Sequence, residues 1–285
     1  MRSGGNWGKS IRSSGGYGKP SYDRGGDLEE TALTPEEWHA WFSVQAGWTR
    51  STRMWLYERA GLPRARAVLE VGCGTGVIAG ELAHLSRARV VGLDLENEML
   101  TFARGQEGGV TYTEGDAHTL PFSMGCFDVV VCHYLLLWLS DPAQAVQEMA
   151  RVTRPGGAVL ACAEPDYGGR VDYPPDLAPL GQLQARALHQ QGADPEIGRR
   201  LGEIFVGAGL QATVGVMAGR WDLPASPGCG FEAEWAMRER DLAGLVSPQE
   251  LHRLRSVDRQ ALTTGQRILF VPTFYAIGRK MTQVT

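Results

Sequence analysis

The chain has 285 residues, 43% of them hydrophobic and 21% charged, which is enough apolar material for a core and excludes a chain that is disordered throughout. Its 28 basic and 32 acidic residues give a net charge of −4, which argues against a general nucleic-acid binder. Five cysteines without a C-x-x-C pair and six histidines without ligand spacing argue against a disulfide framework and a metal site, so we expect a reducing compartment and no metal.

Residues 1–30 are rich in glycine and serine, and residues 1–22 contain four basic and no acidic side chains. They show no helical or strand period, so we expect a disordered tail, with contact to RNA or an acidic surface as the alternative. No apolar segment follows Met1, and the longest apolar run, residues 129–139, is far shorter than the ~20 residues of a membrane span. We therefore expect a soluble, cytoplasmic protein without a membrane partner, whose single domain covers residues 31–285.

The first predicted helices lie in residues 31–62. Residues 34–37 (Thr-Pro-Glu-Glu) form a capping box with proline at the first helical position. Trp55 and Tyr57 belong to a predicted second helix that ends near Gly61. An aromatic stripe at helical spacing precedes them, and it consists of Trp38, Trp41, Phe42, Gln45 and Trp48. The stripe is either core packing or the inner face of a lid that closes over a ligand, with Trp48 reaching that ligand.

From residue 67 onward, short apolar runs alternate with amphipathic stretches. The predicted strands are 67–71, 90–93, 110–113, 127–132 and 158–163, and the predicted helices are 76–85, 97–104 and 142–153. This alternation predicts an α/β fold with a doubly wound, mostly parallel sheet.

The alternation changes after residue 163. Residues 164–194 and 222–265 are predicted to be helical insertions on the side where an acceptor binds, and their aromatic residues (Trp221, Phe231 and Trp235) line an apolar acceptor site or form core. Between them we expect a helix over 195–207 and a strand over 211–220. A last strand is predicted over 267–277, and Pro272 within it favours an edge or bulged strand.

Three glycines directly follow the first predicted strand, with the spacing G-x-G-x-G at Gly72, Gly74 and Gly76. Glycine there permits a tight turn and lets a ligand approach the main chain. Val77 stands where a dinucleotide-binding motif would need its third glycine, which disfavours a nicotinamide or flavin site. Two carboxylates follow later strands: Asp94 can accept both ribose hydroxyls, and Asp116 comes at the same edge of the sheet.

Four motifs in this order resemble the series found in class I S-adenosylmethionine-dependent methyltransferases, most closely the small-molecule branch of ubiquinone- and menaquinone-biosynthesis-type enzymes. They are EVGCGTG at 70–76, GLD at 92–94, GDA at 115–117 and RPGG at 154–157. The resemblance covers about residues 67–163. It implies a Rossmann-like, seven-stranded sheet whose last strand enters antiparallel, and S-adenosyl-L-methionine as cofactor with S-adenosylhomocysteine as product.

The resemblance also implies the cofactor contacts. The glycine turn would lie beneath the methionine moiety, Asp94 would bind the ribose, Met99 would pack on the adenine, and Asp116 and Ala117 would bind its edge. The complete predicted cofactor-binding set is Trp48, Glu70, Gly72, Cys73, Gly74, Gly76, Asp94, Leu95, Met99, Asp116, Ala117, Cys132 and His133.

The region after the fourth predicted strand, residues 131–138, lacks the motifs of base-amine, metal-dependent catechol and pyrimidine-C5 methyltransferases. What remains is a small organic acceptor with an O, N, S or C nucleophile that attacks in line. An NAD(P)-dependent oxidoreductase and a non-catalytic cofactor-binding adaptor of the same fold are the alternatives.

His133 follows the fourth predicted strand, next to the expected position of the methyl group. An ordinary histidine pKa of about 6.5 suits a general base, so His133 is the candidate catalytic residue. Alternatively it only forms a hydrogen bond to the cofactor or a loop. Residues 164–167 (Glu-Pro-Asp-Tyr) follow the fifth strand, either as a capping loop or as acceptor-binding residues, with Asp166 or Tyr167 as a base.

Overall fold

The structure, a computed structural model, describes residues 33–106 and 108–282; the predicted tail, residues 1–30, lies outside them. Its strands are β1 (Ala67–Val71), β2 (Arg89–Asp94), β3 (Thr111–Glu114), β4 (Phe127–Cys132), β5 (Thr153–Pro165), β6 (Val171–Tyr173), β7 (Leu210–Val216), β8 (Ile268–Phe270) and β9 (Thr273–Lys280). Its α-helices are α1 (Pro35–Ala60), α2 (Val77–Leu85), α3 (Asn97–Arg104), α4 (Pro142–Val152), α5 (Ala178–Gln190), α6 (Leu201–Gly207), α7 (Cys229–Asp241) and α8 (Pro248–Thr264).

Seven strands form the main sheet in the order β3-β2-β1-β4-β5-β9-β7. Strands β1 to β5 pair in parallel, and β9 is antiparallel to both of its neighbours. The chain runs outward from β1 to β3 and then returns to the other side of β1, so a crevice opens between the carboxyl ends of β1 and β4. The predicted fold class, a doubly wound and mostly parallel sheet, is confirmed.

Successive side chains of the strands point to opposite faces of the sheet and build two cores. Val68 and Val90 pack with residues of α1, α2 and α3, whereas Leu69 and Val91 pack with residues of α4 and α6. A third, smaller core joins α5, α7 and α8, and its buried members are Leu180, Ala187, Phe231, Trp235, Leu242 and Leu254. We call α5, α7, α8 and the two-stranded sheet β6-β8 the cap. Within the described residues, no helix is both long and apolar enough to cross a bilayer.

Helix α1 corrects the prediction of two N-terminal helices, because residues 35–60 form one continuous helix. The capping box predicted at Thr34 is present, and Gly61 ends the helix in the left-handed conformation with a φ of 85°. Gly47 does not break the helix. Glycine in a helix costs only about 1 kcal/mol, which the burial of the flanking turns offsets.

The last predicted strand, residues 267–277, is in fact two strands. Proline has no backbone N–H to donate, and Pro272 lies at the break between β8 and β9. Strand β8 pairs with β6 in the cap, and β9 lies inside the main sheet rather than at its edge. Two other predicted elements are shorter than expected: residues 197–200 are a 3₁₀ turn before α6, and β7 ends at Val216.

Candidate active site

The three glycines after β1 form a tight turn that leads into α2. Gly72, Gly74 and Gly76 have φ values of 73°, 49° and 84°, a region that favours glycine. The amides of Gly72 and Cys73 donate to Leu93 O at 2.7 and 3.0 Å, which ties the turn to the end of β2. A Cβ on Gly74 would lie 3.0 Å from the ring of Phe42. The turn therefore has the closely approachable backbone that the sequence predicted.

Asp94, at the end of β2, stabilises this turn. Its Oδ2 accepts a hydrogen bond from Gly74 N at 2.7 Å, and its Oδ1 accepts one from Glu96 N at 3.0 Å. The residue is only 1% exposed. Each carboxylate oxygen has two lone pairs, so the same carboxylate can also accept a sugar hydroxyl. The structure thus brings Asp94 and the glycine turn together, as predicted.

Asp116, after β3, is more open. Its Oδ1 accepts hydrogen bonds from the backbone N–H of His118 at 2.8 Å and from its ring at 2.7 Å. Burial alone would raise the pKa of Asp116, but the two bonds from His118 outweigh it and hold the pKa below its usual value. Its Oδ2 has no hydrogen-bond partner in the described part of the chain. That oxygen can accept an exocyclic amine hydrogen.

Of the other predicted adenine neighbours, Leu95 is exposed, whereas Met99 and Ala117 are buried. All three lie at the carboxyl edge of β2 and β3. Which of them touches a ligand stays a prediction.

Glu70 is buried beneath the turn with an unsatisfied oxygen. Its Oε2 has no hydrogen-bond partner in the described chain. Burial and the nearby Asp94 carboxylate raise the pKa of Glu70 well above its usual value. An unsatisfied buried acceptor is costly, and the ammonium group of a bound amino acid would supply the missing donor. This atom and the glycine turn fit the methionine part of S-adenosylmethionine.

The two predicted cysteine contacts differ. Cys73 lies in the turn, and its Sγ fills the space next to Gly92. Cys132 ends β4 with its side chain fully buried in the core shared with α4. The cofactor contact predicted at Cys132 stays a prediction, and the burial of its thiol in this core gives no support for a contact through the side chain.

His133 is held by residues of α1 that the sequence analysis missed. Its Nε2 lies 2.8 Å from Thr49 Oγ1. Thr49 also accepts a hydrogen bond from Arg53 Nη1, and the Arg53 guanidinium pairs with both carboxylate oxygens of Glu81 at 2.9 and 2.8 Å. Thr49 and Arg53 are each 1% exposed. This chain of contacts, which we call the Arg53–Thr49–His133 network, links helix α1 to the end of β4.

The environment of His133 argues against a general base with the ordinary pKa of histidine. Burial and the positive charge of Arg53 lower its pKa to about 3. At neutral pH the ring is therefore uncharged and a poor proton acceptor. The alternative interpretation, a histidine that only forms a hydrogen bond, agrees with this environment, and the catalytic role of His133 stays a prediction.

One ring of the aromatic stripe of α1 contacts the glycine turn, and it is Phe42 rather than the predicted Trp48. Phe42 lies against Gly74, whereas Trp48 is 50% exposed and packs edge to face on Trp41 at 5.4 Å. The inward face of α1 instead follows the spacing of His39, Phe42, Ala46, Thr49, Arg53, Leu56 and Ala60. The predicted cofactor contact of Trp48 has no support in this geometry. This inward face is visible in the sequence as a spacing of three and four residues. It was not recognised because Thr49 and Arg53 are of residue types that usually face solvent.

The predicted loop after the fifth strand begins two residues later than expected, because Glu164 and Pro165 belong to β5. Glu164 is fully buried and accepts hydrogen bonds from the backbone N–H groups of Leu135, Leu136 and Leu137 at 3.0–3.2 Å. Asp166 is ion-paired with Arg199 at 2.6 Å, so its carboxylate is occupied. Burial raises the pKa of Tyr167 above its usual value, which disfavours a phenolate base.

Tyr134 is a site residue that the sequence did not reveal. It follows His133 with a φ of 51°, a conformation that is unusual for a bulky residue and is concentrated at functional sites. Its amide donates to Ala163 O at 2.9 Å, and its ring packs edge to face on His133 at 4.7 Å. Together they form one wall at the carboxyl end of β4.

In sequence, the chain is similar to known methyltransferases. Residues 69–161 match the family described as a methyltransferase domain. The chain is 32% identical over 178 residues to an uncharacterized methyltransferase of Schizosaccharomyces pombe, covering 58% of this chain and 61% of that protein. It is 38% identical over 131 residues to the demethylmenaquinone methyltransferase of Corynebacterium efficiens, covering 46% and 51%. The chain thus spans less than two thirds of the length of these relatives.

A solved structure shares the fold. The phosphoethanolamine N-methyltransferase 2 of Haemonchus contortus, determined with phosphomonomethylethanolamine and S-adenosylhomocysteine, superposes with a TM-score of 0.54 at 18% identity. The match covers 89% of this chain and 55% of the other.

Proposed function

We propose that this chain, whose residues 69–161 match a methyltransferase domain, is a class I S-adenosylmethionine-dependent methyltransferase that transfers a methyl group to an O, N, S or C nucleophile of a small organic acceptor. The observation that carries the proposal is the convergence of the glycine turn, Asp94 and Asp116 at one edge of the sheet. The crevice between β1 and β4 lies at this edge, and we expect the acceptor to enter from the side of the cap. The cytoplasmic location inferred from the sequence stays a prediction.

The residues of the crevice would bind the methionine, ribose and adenine parts of the cofactor by different means. The unsatisfied Oε2 of Glu70 and the turn suit the methionine part, Asp94 suits the ribose, and Oδ2 of Asp116 suits the adenine amine. The cofactor, when bound, supplies an electrophilic methyl group on a sulfonium. The protein then has to hold the acceptor in line and keep water out, and positioning of this kind accounts for a large part of such rate enhancements.

Calorimetric titration with S-adenosylhomocysteine tests the cofactor assignment. We expect wild type to bind, and Asp94→Ala to lose about 10- to 100-fold in affinity, because hydrogen bonds to a charged group contribute about 1.5–3 kcal/mol. The matched control is Asp222→Ala. That carboxylate is 80% exposed and paired only with Arg220, so its removal should leave the affinity unchanged.

Two results would contradict the proposal: no binding by wild type, or equal binding by wild type and Asp94→Ala. NADH is titrated in parallel. Binding of NADH in place of S-adenosylhomocysteine would favour the oxidoreductase alternative. Cofactor binding without transfer of tritiated methyl groups to any compound in an extract of the source cells would favour the adaptor.

A further inference from the structure

The Arg53–Thr49–His133 network has defined hydrogen-bond directions. Arginine can only donate, so Thr49 Oγ1 must accept from Arg53 Nη1. Three other donors of the same guanidinium bind Ala46 O at 2.6 Å and the two carboxylate oxygens of Glu81. The hydroxyl hydrogen of Thr49 is then left for another acceptor.

That hydrogen has one well-placed destination. The carbonyl oxygens of Gln45 and Ala46 lie 3.5 Å from Thr49 Oγ1, at the limit of a hydrogen bond, whereas His133 Nε2 lies at 2.8 Å. Thr49 therefore donates to Nε2. A neutral imidazole that accepts at Nε2 carries its proton on Nδ1. In the described chain Nδ1 has no hydrogen-bond partner, and His133 as a residue is half-buried.

We propose that Thr49 and Arg53 are positioning residues that hold His133 as the tautomer with its proton on Nδ1, and that this N–H donates a hydrogen bond to the small acceptor. The proposal rests on the proposed function and deepens it. It also names the acceptor chemistry: a lone pair on oxygen or nitrogen must lie next to the reacting atom. In this role His133 orients the acceptor and neither takes up nor releases a proton.

The network depends on a buried charge that is compensated. Arg53 is almost completely buried, and Glu81 neutralises it through two parallel hydrogen bonds. Within this pair it is the guanidinium that contacts Thr49, and its charge disfavours a positive charge on His133. Because Thr49 and Arg53 belong to α1 and His133 follows β4, the tautomer is fixed only while α1 is docked on the sheet.

Nitrogen-15 NMR of the full chain with labelled histidine tests the tautomer without any acceptor. We expect His133, assigned by the signal that His133→Asn removes, to show a protonated Nδ1 and an unprotonated Nε2. Thr49→Ser should preserve this pattern and Thr49→Val should lose it. Thr52→Val, in the same helix, is the matched control and should change nothing. A protonated Nε2 in wild type, or the wild-type pattern in Thr49→Val, would overturn the proposal.

The donor role is tested separately by methyl transfer to the small-molecule extract of the source cells. The amide of asparagine can donate from nearly the position of Nδ1 but cannot act as a base. We expect His133→Asn to keep transfer within about tenfold of wild type and His133→Leu to lose at least a hundredfold. Equal loss in both variants would overturn the donor role. Calorimetry with S-adenosylhomocysteine distinguishes the two failures, because an unbound cofactor contradicts the proposed function, whereas a bound cofactor with the wrong tautomer contradicts only this inference.

Discussion

Glu164 shows how one buried carboxylate shapes the acceptor side of the crevice. Three consecutive backbone N–H groups, from Leu135 to Leu137, converge on its two oxygens and fix the loop that follows His133 and Tyr134. Burial raises its pKa to about 8 although these N–H groups favour the charged form. The carboxyl group therefore has a structural role that its place after a strand, next to an expected acceptor site, did not reveal.

This raised pKa makes stability depend on pH with a definite sign. The pKa of Glu164 is higher in the folded than in the unfolded chain, so between about pH 4.5 and 8 only the unfolded state releases the proton. We expect the free energy of unfolding of wild type to fall with rising pH in this window relative to Glu164→Gln. Urea unfolding at pH 5 and pH 8 measures the difference.

Glu148→Gln serves as a control of opposite sign. The hydrogen bond from Arg151 lowers the pKa of Glu148, so the stability it contributes is lost as the pH falls below about 4.5. A wild-type advantage over Glu164→Gln that grows from pH 5 to pH 8 would contradict the assignment.

Which site residues the sequence predicts depends on how local their signal is. The glycines and Asp94 follow strands whose pattern is evident, and their positions in a known motif order identify them. Thr49 and Arg53 act through His133, which lies 84 residues from Thr49. No periodicity connects residues so far apart, and both types usually face solvent. The same limit applies to the lowered pKa of His133, which comes from partners that only the fold brings together.

Helix α1 combines a fixed half and a more exposed half. Leu56, Tyr57 and Ala60 are buried in the core against the sheet, whereas Ala46 is the only buried residue among positions 35–48. The sequence left open whether the N-terminal helical region, residues 31–62, is core or a lid. Movement of the whole helix would expose Leu56 and Tyr57, so we restrict the proposed lid to residues 35–48.

Hydrogen exchange tests this division of α1. Amides of residues 35–48 should exchange fast in the free protein and more slowly with S-adenosylhomocysteine, while those of residues 53–60 should exchange slowly in both states. Leu56→Ala should cost about 2–5 kcal/mol of stability. Trp48→Ala should cost less than about 1 kcal/mol, because the side chain is half exposed. Uniformly slow exchange along the helix would remove the lid.

The ring at the turn predicts a contrast within one helix. Phe42 lies 3.0 Å from the Cβ position of Gly74, and Trp48 packs on Trp41 instead. Phe42→Ala should therefore weaken S-adenosylhomocysteine binding by about tenfold, since a buried aromatic side chain contributes roughly 1.5–3 kcal/mol. Trp48→Ala, the matched control, should leave the affinity within about twofold. The reverse order in calorimetry would restore the original prediction for Trp48.

The main sheet and the cap have separate hydrophobic cores. The cofactor motifs lie on the main sheet, and the cap has its own core around Trp235. A buried polar cluster stabilises the cap: Asp258 accepts hydrogen bonds from Trp235 at 2.7 Å, Arg238 at 3.2 Å and Arg267 at 2.6 Å. The sequence predicted insertions in this region and left open whether their aromatic residues are core or acceptor wall. Phe231 and Trp235 are core, and Trp221 is 37% exposed.

Removal of the Asp258 carboxylate should destabilise the cap and leave cofactor binding by the main sheet intact. Asp258→Ala removes the buried carboxylate that Arg238 and Arg267 share and leaves both with Glu234 alone, so we expect a loss of stability of up to about 3–5 kcal/mol, the cost of breaking a buried pair. We expect a lower melting temperature and altered tryptophan fluorescence, with S-adenosylhomocysteine affinity kept within about twofold. Asp222→Ala, which breaks an exposed pair, should change neither quantity measurably. A loss of cofactor affinity parallel to the loss of stability would show that the cap and the main sheet are not independent.

The position of β9 has a consequence for biosynthesis. It lies between β5 and β7, although it is made after both. While the ribosome extends the chain, β7 has no strand partner and β5 keeps one open edge until residues 273–280 have emerged. Residues 158–163 of β5 are apolar and fully buried in the finished protein. An unpaired apolar edge is a template for wrong pairing. Nascent chains stalled before β9 should therefore aggregate or recruit chaperones, even with every cofactor-binding motif already translated.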